Sequence, residues 1–101
     1  MNTFARIAAL SSGCIASNNR GLGISTQLAS ITNCSASLNG LTGIVNFGSV
    51  THCTAYSNGD HGISSNGVIA FCLASNNNRN NNGSVDISSS SGTRTGNNPA
   101  P

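Results

Sequence analysis

Few residues of this chain are equipped for chemistry, and they are scattered along it. The ionisable and nucleophilic set consists of Asp60, Asp86, His52, His61, Tyr56, four arginines and the cysteines Cys14, Cys34, Cys53 and Cys72, with neither lysine nor glutamate. Hydrolysis of a glycosidic bond takes a pair of carboxyl groups, one as acid and one as base or nucleophile. Asp60 and Asp86 could meet only across a turn of chain and a long loop, so no catalytic residue is assigned. Four cysteines could ligate zinc, or form two disulfides in any of three pairings. Arg20, Asp60 and His61 are the one polar grouping able to share an edge. With Tyr56, whose ring could stack on a sugar, they are the candidate ligand-binding residues.

An internal repeat positions these residues. A cysteine is followed two places later by alanine, five later by asparagine and nine later by Gly-Ile, as in Cys14-Ala16-Asn19-Gly23-Ile24. The same phrase returns as Cys34-Ala36-Asn39-Gly43-Ile44 and Cys53-Ala55-Asn58-Gly62-Ile63, and a fourth copy begins as Cys72-Ala74-Asn77. The cysteines lie 20, 19 and 19 residues apart, and Ile31, Val50 and Ile69 stand three places before the last three of them. Short Ile- and Val-rich runs bounded by Asn-Gly, Ser-Asn-Gly and Asn-Asn favour strands, and no helical period survives across residues 14 to 74. Three short strands per turn, with turns stacked ~4.8 Å apart, describe a coil in which equivalent residues form ladders.

The expected inward ladders are Cys14/Cys34/Cys53/Cys72, Ala16/Ala36/Ala55/Ala74, Ile24/Ile44/Ile63 and Ile31/Val50/Ile69. Asn19, Asn39, Asn58 and Asn77 are expected at a turn, with amides bonded from rung to rung and the backbone left-handed. Gly23, Gly43 and Gly62 are expected where a side chain would be forbidden. The segment 25–33 is one residue longer than 45–52 and 64–71, an excess that a turn absorbs.

Stacking also limits the chemistry. Cys14 and Cys72 would lie ~14 Å apart along the coil, and a line of sulfurs cannot converge on one zinc. Neighbouring cysteines would have parallel Cβ vectors, against the torsion a disulfide prefers, so they read as reduced apolar fillers. Arg20 occupies the repeat position of Gly40 and Gly59, two rungs or ~10 Å from Asp60. Asp60 has no acidic counterpart in the repeat, where Gly21 and Leu41 stand instead. His52 aligns with Asn33 and Phe71 and reads as a packing or hydrogen-bonding residue at a turn. Thr26, Thr32, Thr42, Thr51 and Thr54 are read as sharing no repeat position, which sets ice binding aside.

Gly-Ile, a branched residue and Cys-x-Ala-x-x-Asn together resemble the repeats of the right-handed parallel β-helix, or pectate-lyase-like (pectin lyase fold), superfamily, over residues 14 to about 77. The resemblance implies an all-β, single-stranded right-handed parallel β-helix of about three to four rungs. Residues 14–87 would form the repeats and 88–101 a low-complexity tail, with 85–87 as a last strand. Residues 1–13 would be a cap, a short helix carrying Phe4, Ile7, Ala8 and Leu10, or a degenerate rung. So thin a coil suggests the C-terminal portion of a longer protein, stacking on further rungs or end to end on another copy. Family enzymes bind Ca²⁺ through grouped carboxylates beside a basic residue. Those groups do not recur here, so no cofactor is expected, Ca²⁺ being the one the resemblance leaves open.

Composition narrows the partners. Only 6% of residues are charged and the net charge is +2, too little for a nucleic-acid surface. With 17 Ser, 16 Asn and eight Thr, the exterior must be neutral and polar, which suits polysaccharide. No stretch approaches the ~20 apolar residues of a membrane span. Phe4 to Leu10 ahead of Ser-Ser-Gly-Cys14 is too short for a lipoprotein signal and contains Arg6, so an extracellular or cell-surface location is expected without an evident signal peptide. Three readings remain open: a non-catalytic module that contacts polysaccharide, a fragment of a polysaccharide lyase or glycoside hydrolase whose site lies in missing rungs, and a structural spacer of a surface adhesin.

Overall fold

Branched residues at a fixed spacing form strands because each stands on a pleat facing a narrow core, while its neighbours face out. A computed structural model of the chain describes residues 5–6, 11–26, 30–89 and 94–97. Its strands are β1 (Ala5–Arg6), β2 (Ser11–Ser12), β3 (Ile15–Ser17), β4 (Ile24–Ser25), β5 (Ile31–Thr32), β6 (Ser35–Ser37) and β7 (Ile44–Asn46). They continue as β8 (Val50–Thr51), β9 (Thr54–Tyr56), β10 (Ile63–Ser65), β11 (Ile69–Ala70), β12 (Leu73–Ser75), β13 (Ile87–Ser88) and β14 (Arg94–Thr95).

Every pairing is parallel and every neighbour comes from the next turn of chain. The first sheet has the order β1-β4-β7-β10-β13, the second β2-β5-β8-β11-β14, and the third β3-β6-β9-β12. The protein is thus a parallel β-solenoid of about three turns, with no helix among the described residues. Ile24 pairs with Ile44 and Ile31 with Val50, so the extra residue of the first long segment falls between Ser25 and Ile31.

The core is one dry column. Ile24, Ile31, Ile44, Val50, Ile63 and Ile69 are fully buried, and Ala16, Ala36, Ala55 and Ala74 fill the third side, where larger residues would not fit between the sheets. Each buried isoleucine contributes about 1.5–3 kcal/mol. Cys34, Cys53 and Cys72 are buried in the same column, and Cys14 is half-buried at its end.

The solenoid extends beyond 14–87 at both ends. Ala5–Arg6 pairs with Ile24–Ser25 and Ser11–Ser12 with Ile31–Thr32; Phe4, Ile7, Ala8 and Leu10 lie outside the described residues. At the other end Ile87–Ser88 pairs with Ile63–Ser64, and Arg94–Thr95 pairs with Ile69–Ala70, inside the segment expected to be a tail. The strand expected over 85–87 begins at Ile87 as β13, and Val85 is an exposed residue of the preceding loop.

Candidate ligand-binding face

The three corners of the coil decide which side chains reach solvent. At the corner between the third and first sheets, the left-handed residues are Asn18, Leu38, Ser57 and Asn76, each one place before a ladder asparagine. The asparagines themselves were expected to carry that conformation. The left-handed residue instead reverses the chain, and the asparagine that follows turns its side chain inward.

There the amides form a ladder with one direction. The backbone N–H and Nδ2 of Asn39 donate to Asn58 Oδ1 at 3.1 and 2.9 Å, and Nδ2 also donates to Ala16 O at 3.2 Å. Asn58 repeats this with Asn77 Oδ1, at 2.9 and 2.8 Å, and with Ala36 O. A chain of donors running one way ends on an acceptor. Asp86 is that group: its Oδ1 accepts from the N–H and Nδ2 of Asn77 at 3.0 and 2.9 Å. The ladder also explains the glycines. A Cβ on Gly43 would lie 2.6 Å from Asn58 Nδ2 and 2.8 Å from Gly62 O, so close approach rather than backbone conformation excludes a side chain.

At the corner between the second and third sheets, Gly13, Asn33, His52, Phe71 and Gly96 are left-handed, and the next residue again turns inward. Cysteine plays the part of asparagine here. Cys53 Sγ accepts from the N–H of Cys34 at 3.5 Å and donates to Thr51 O at 3.2 Å. In the last turn Asn97 takes the position, accepting from the N–H of Cys72 at 2.9 Å and donating to Ile69 O at 2.8 Å. No disulfide joins the four cysteines. A hydrogen bond with the Cys72 side chain, and then burial, pushes the Cys53 thiol above its ordinary value.

A third buried ladder, at the corner between the first and second sheets, had no counterpart in the sequence reading. Asn46 Nδ2 donates to Thr26 Oγ1 at 2.9 Å, and Ser65 Oγ donates to Asn46 Oδ1 at 3.1 Å.

The candidate residues fall in three places. Asp60 and His61 lie under the loop 78–85, where Asp60 Oδ1 accepts from Asn80 Nδ2 at 3.0 Å and Asn82 Nδ2 at 2.7 Å, and His61 Nδ1 lies 3.0 Å from the N–H of Val85. Arg20 is exposed on the lower rung of that edge, with no hydrogen bond or ion pair to Asp60. Tyr56 is half-exposed on the outer face of the third sheet, in a column with Ser17, Ser37 and Ser75. Arg79, not singled out from the sequence, donates to Ser57 O at 3.2 Å.

The outer face of the second sheet is a different surface. Thr32 and Thr51 do share a repeat position, contrary to the expectation, because they directly follow the inward Ile31 and Val50. Their hydroxyls lie 3.4 Å apart, and Ser49 Oγ donates to Ser30 Oγ at 3.1 Å. Ser12 below and Ala70 above interrupt the threonine column. Beside it, on the left-handed corner, His52 and Phe71 are exposed, their rings stacked with centroids 5.3 Å apart and planes 23° from parallel. The sequence placed both at one repeat position, and the left-handed backbone turns them out of the coil rather than into it. The chain matches no family model, no curated protein and no solved structure.

Proposed function

We propose that this chain is a non-catalytic repeat module of an exported or surface protein, related to the pectate-lyase-like coils, that contacts neutral polysaccharide through the outer face of its second sheet. The observation that carries the reading is the stacked His52–Phe71 pair beside the paired hydroxyls of Ser30, Ser49, Thr32 and Thr51. A sugar ring offers an apolar C–H face to an aromatic ring and hydroxyls to hydroxyls, and this strip supplies both kinds of group without a formal charge. The non-catalytic part is supported by the use each carboxylate has found: Asp86 ends the asparagine ladder and Asp60 anchors the loop 78–85.

The test is retention of the folded chain on insoluble neutral glucans, xylans and mannans, compared with Phe71→Ala and His52→Ala. Losing one stacking partner should weaken retention by up to roughly tenfold, while the strand circular dichroism is kept. Retention that salt abolishes, or that both variants leave unchanged, would defeat the reading. A folded chain retained on none of these polymers would favour the spacer.

A further inference from the structure

Four asparagines are followed by glycine: Asn39-Gly40, Asn58-Gly59, Asn66-Gly67 and Asn82-Gly83. Such a pair can lose ammonia when the glycine nitrogen attacks the asparagine Cγ, because glycine leaves that approach open. The attack needs a backbone N–H free of other bonds and an amide carbon made electrophilic. In three pairs the nitrogen is occupied. Gly40 N–H donates to Asn19 O at 2.8 Å, Gly59 N–H to Asn39 O at 2.8 Å, and Gly67 N–H to Ser65 Oγ at 3.0 Å. Asn39 and Asn58 are also fully buried in the ladder. The Gly83 N–H has no partner among the described residues, and Asn82 and Gly83 are both exposed.

The Asn82 amide is also held in a reactive setting. Its Oδ1 accepts from the N–H of Ser84 at 3.2 Å and from Ser84 Oγ at 2.7 Å, while its Nδ2 donates to Asp60 Oδ1 at 2.7 Å. Asp60 therefore orients the amide so that the carbonyl oxygen meets both Ser84 donors. We infer that Asn82 is a site of selective spontaneous deamidation, with Ser84 stabilising the oxyanion and Asp60 positioning the group.

In the reaction, Gly83 N gives its proton to hydroxide and bonds to Asn82 Cγ. The charge that gathers on Oδ1 is met by the Ser84 N–H and hydroxyl. The Cγ–Nδ2 bond then breaks, ammonia leaves with a proton taken from water, and a second water opens the succinimide to aspartate or iso-aspartate. The product exchanges a donor to Asp60 for a second carboxylate facing it, and like charges so placed repel. The loop 78–85 loses that anchor, and the net charge falls by one.

Incubation of the folded full chain at mildly alkaline pH, followed by trypsin cleavage and mass spectrometry, reads the site. Arg79 and Arg94 bound a peptide containing Asn82, whereas the peptide from Gly21 to Arg79 contains the other three pairs. The amide-to-acid mass increment is expected at Asn82 first, at least about tenfold faster than at the other three. Ser84→Ala should slow it about tenfold in the folded chain, the effect of one lost neutral hydrogen bond, and leave the rate in denaturant unchanged. Faster conversion at Asn39, Asn58 or Asn66, or a Ser84→Ala effect that is absent in the folded chain or equally large in denaturant, would overturn the inference.

Discussion

Replacing Asn58 by alanine is the sharpest test of the ladder. The side chain is fully buried and makes four hydrogen bonds. Its Oδ1 accepts from the N–H and Nδ2 of Asn39 at 3.1 and 2.9 Å, and its Nδ2 donates to Ala36 O and Asn77 Oδ1 at 3.2 and 2.8 Å. Each such bond contributes about 1 kcal/mol net, so the loss is about 4 kcal/mol, and more where stranded donors stay dry. Asn19 has the same residue type at the first position of the ladder, where its Nδ2 makes one bond, to Asn39 Oδ1 at 2.9 Å. Asn19→Ala should therefore cost about 1 kcal/mol. A coil this thin sits at the lower end of the usual ~5–15 kcal/mol of stability, so Asn58→Ala should leave it barely folded. Urea unfolding followed by circular dichroism measures both, and Asn58→Ala should lower the midpoint by about 2 M, against well under ~1 M for Asn19→Ala. Equal losses from the two would refute a cooperative, one-way ladder, since the bond count is what separates them.

Other perturbations follow from the same geometry. Gly43→Ala places a methyl group 2.6 Å from Asn58 Nδ2 and 2.8 Å from a backbone oxygen, and should cost about 1–3 kcal/mol in the same unfolding experiment. Asp86→Ala removes the acceptor for two charge-assisted bonds and should cost about 3 kcal/mol, whereas Asp86→Asn keeps an acceptor and should cost under ~1 kcal/mol, as read from thermal midpoints. The Cys53 thiol is raised in the folded chain, so above the ordinary value of 9.0 the unfolded chain gives up this proton while the folded chain keeps it. Its contribution is then fully present below pH 9 and is lost as pH rises further, so denaturant midpoints measured from pH 8 to 11 should fall, and fall less for Cys53→Ala.

The recurring Cys, Ala, Asn and Gly-Ile phrase was legible because each of those positions demands one residue: small in the narrow corner, an amide in the one-way ladder, no Cβ beside it. The Thr26/Asn46/Ser65 ladder stayed hidden because a corner that needs only a hydroxyl or an amide accepts three residue types, and recurrence of identical letters does not find it. Asp86 and Asn97 escaped for a related reason. They do in the last turn what asparagine and cysteine do below, but after loops of different length, so the spacing no longer marks them. Thr32 and Thr51 do recur at one position, and grouping all the threonines together concealed the pair. Of the candidate ligand residues, Asp60 and His61 were placed on one edge by adjacency, but a sequence cannot show that the loop 78–85 folds back and takes up the carboxylate.

On the proposed reading, the repeated residues build the coil and ligand contact falls on the uncharged outer strip of the second sheet. Amide and aromatic chemical shifts of the labelled chain, recorded during titration with a soluble neutral polysaccharide, test it most directly. Perturbations are expected to concentrate at Ser30, Thr32, Ser49, Thr51, His52 and Phe71, with the inward isoleucines unmoved. Shifts centred on Arg20, Asp60 and His61, or none with any neutral polysaccharide while the chain remains folded, would contradict it.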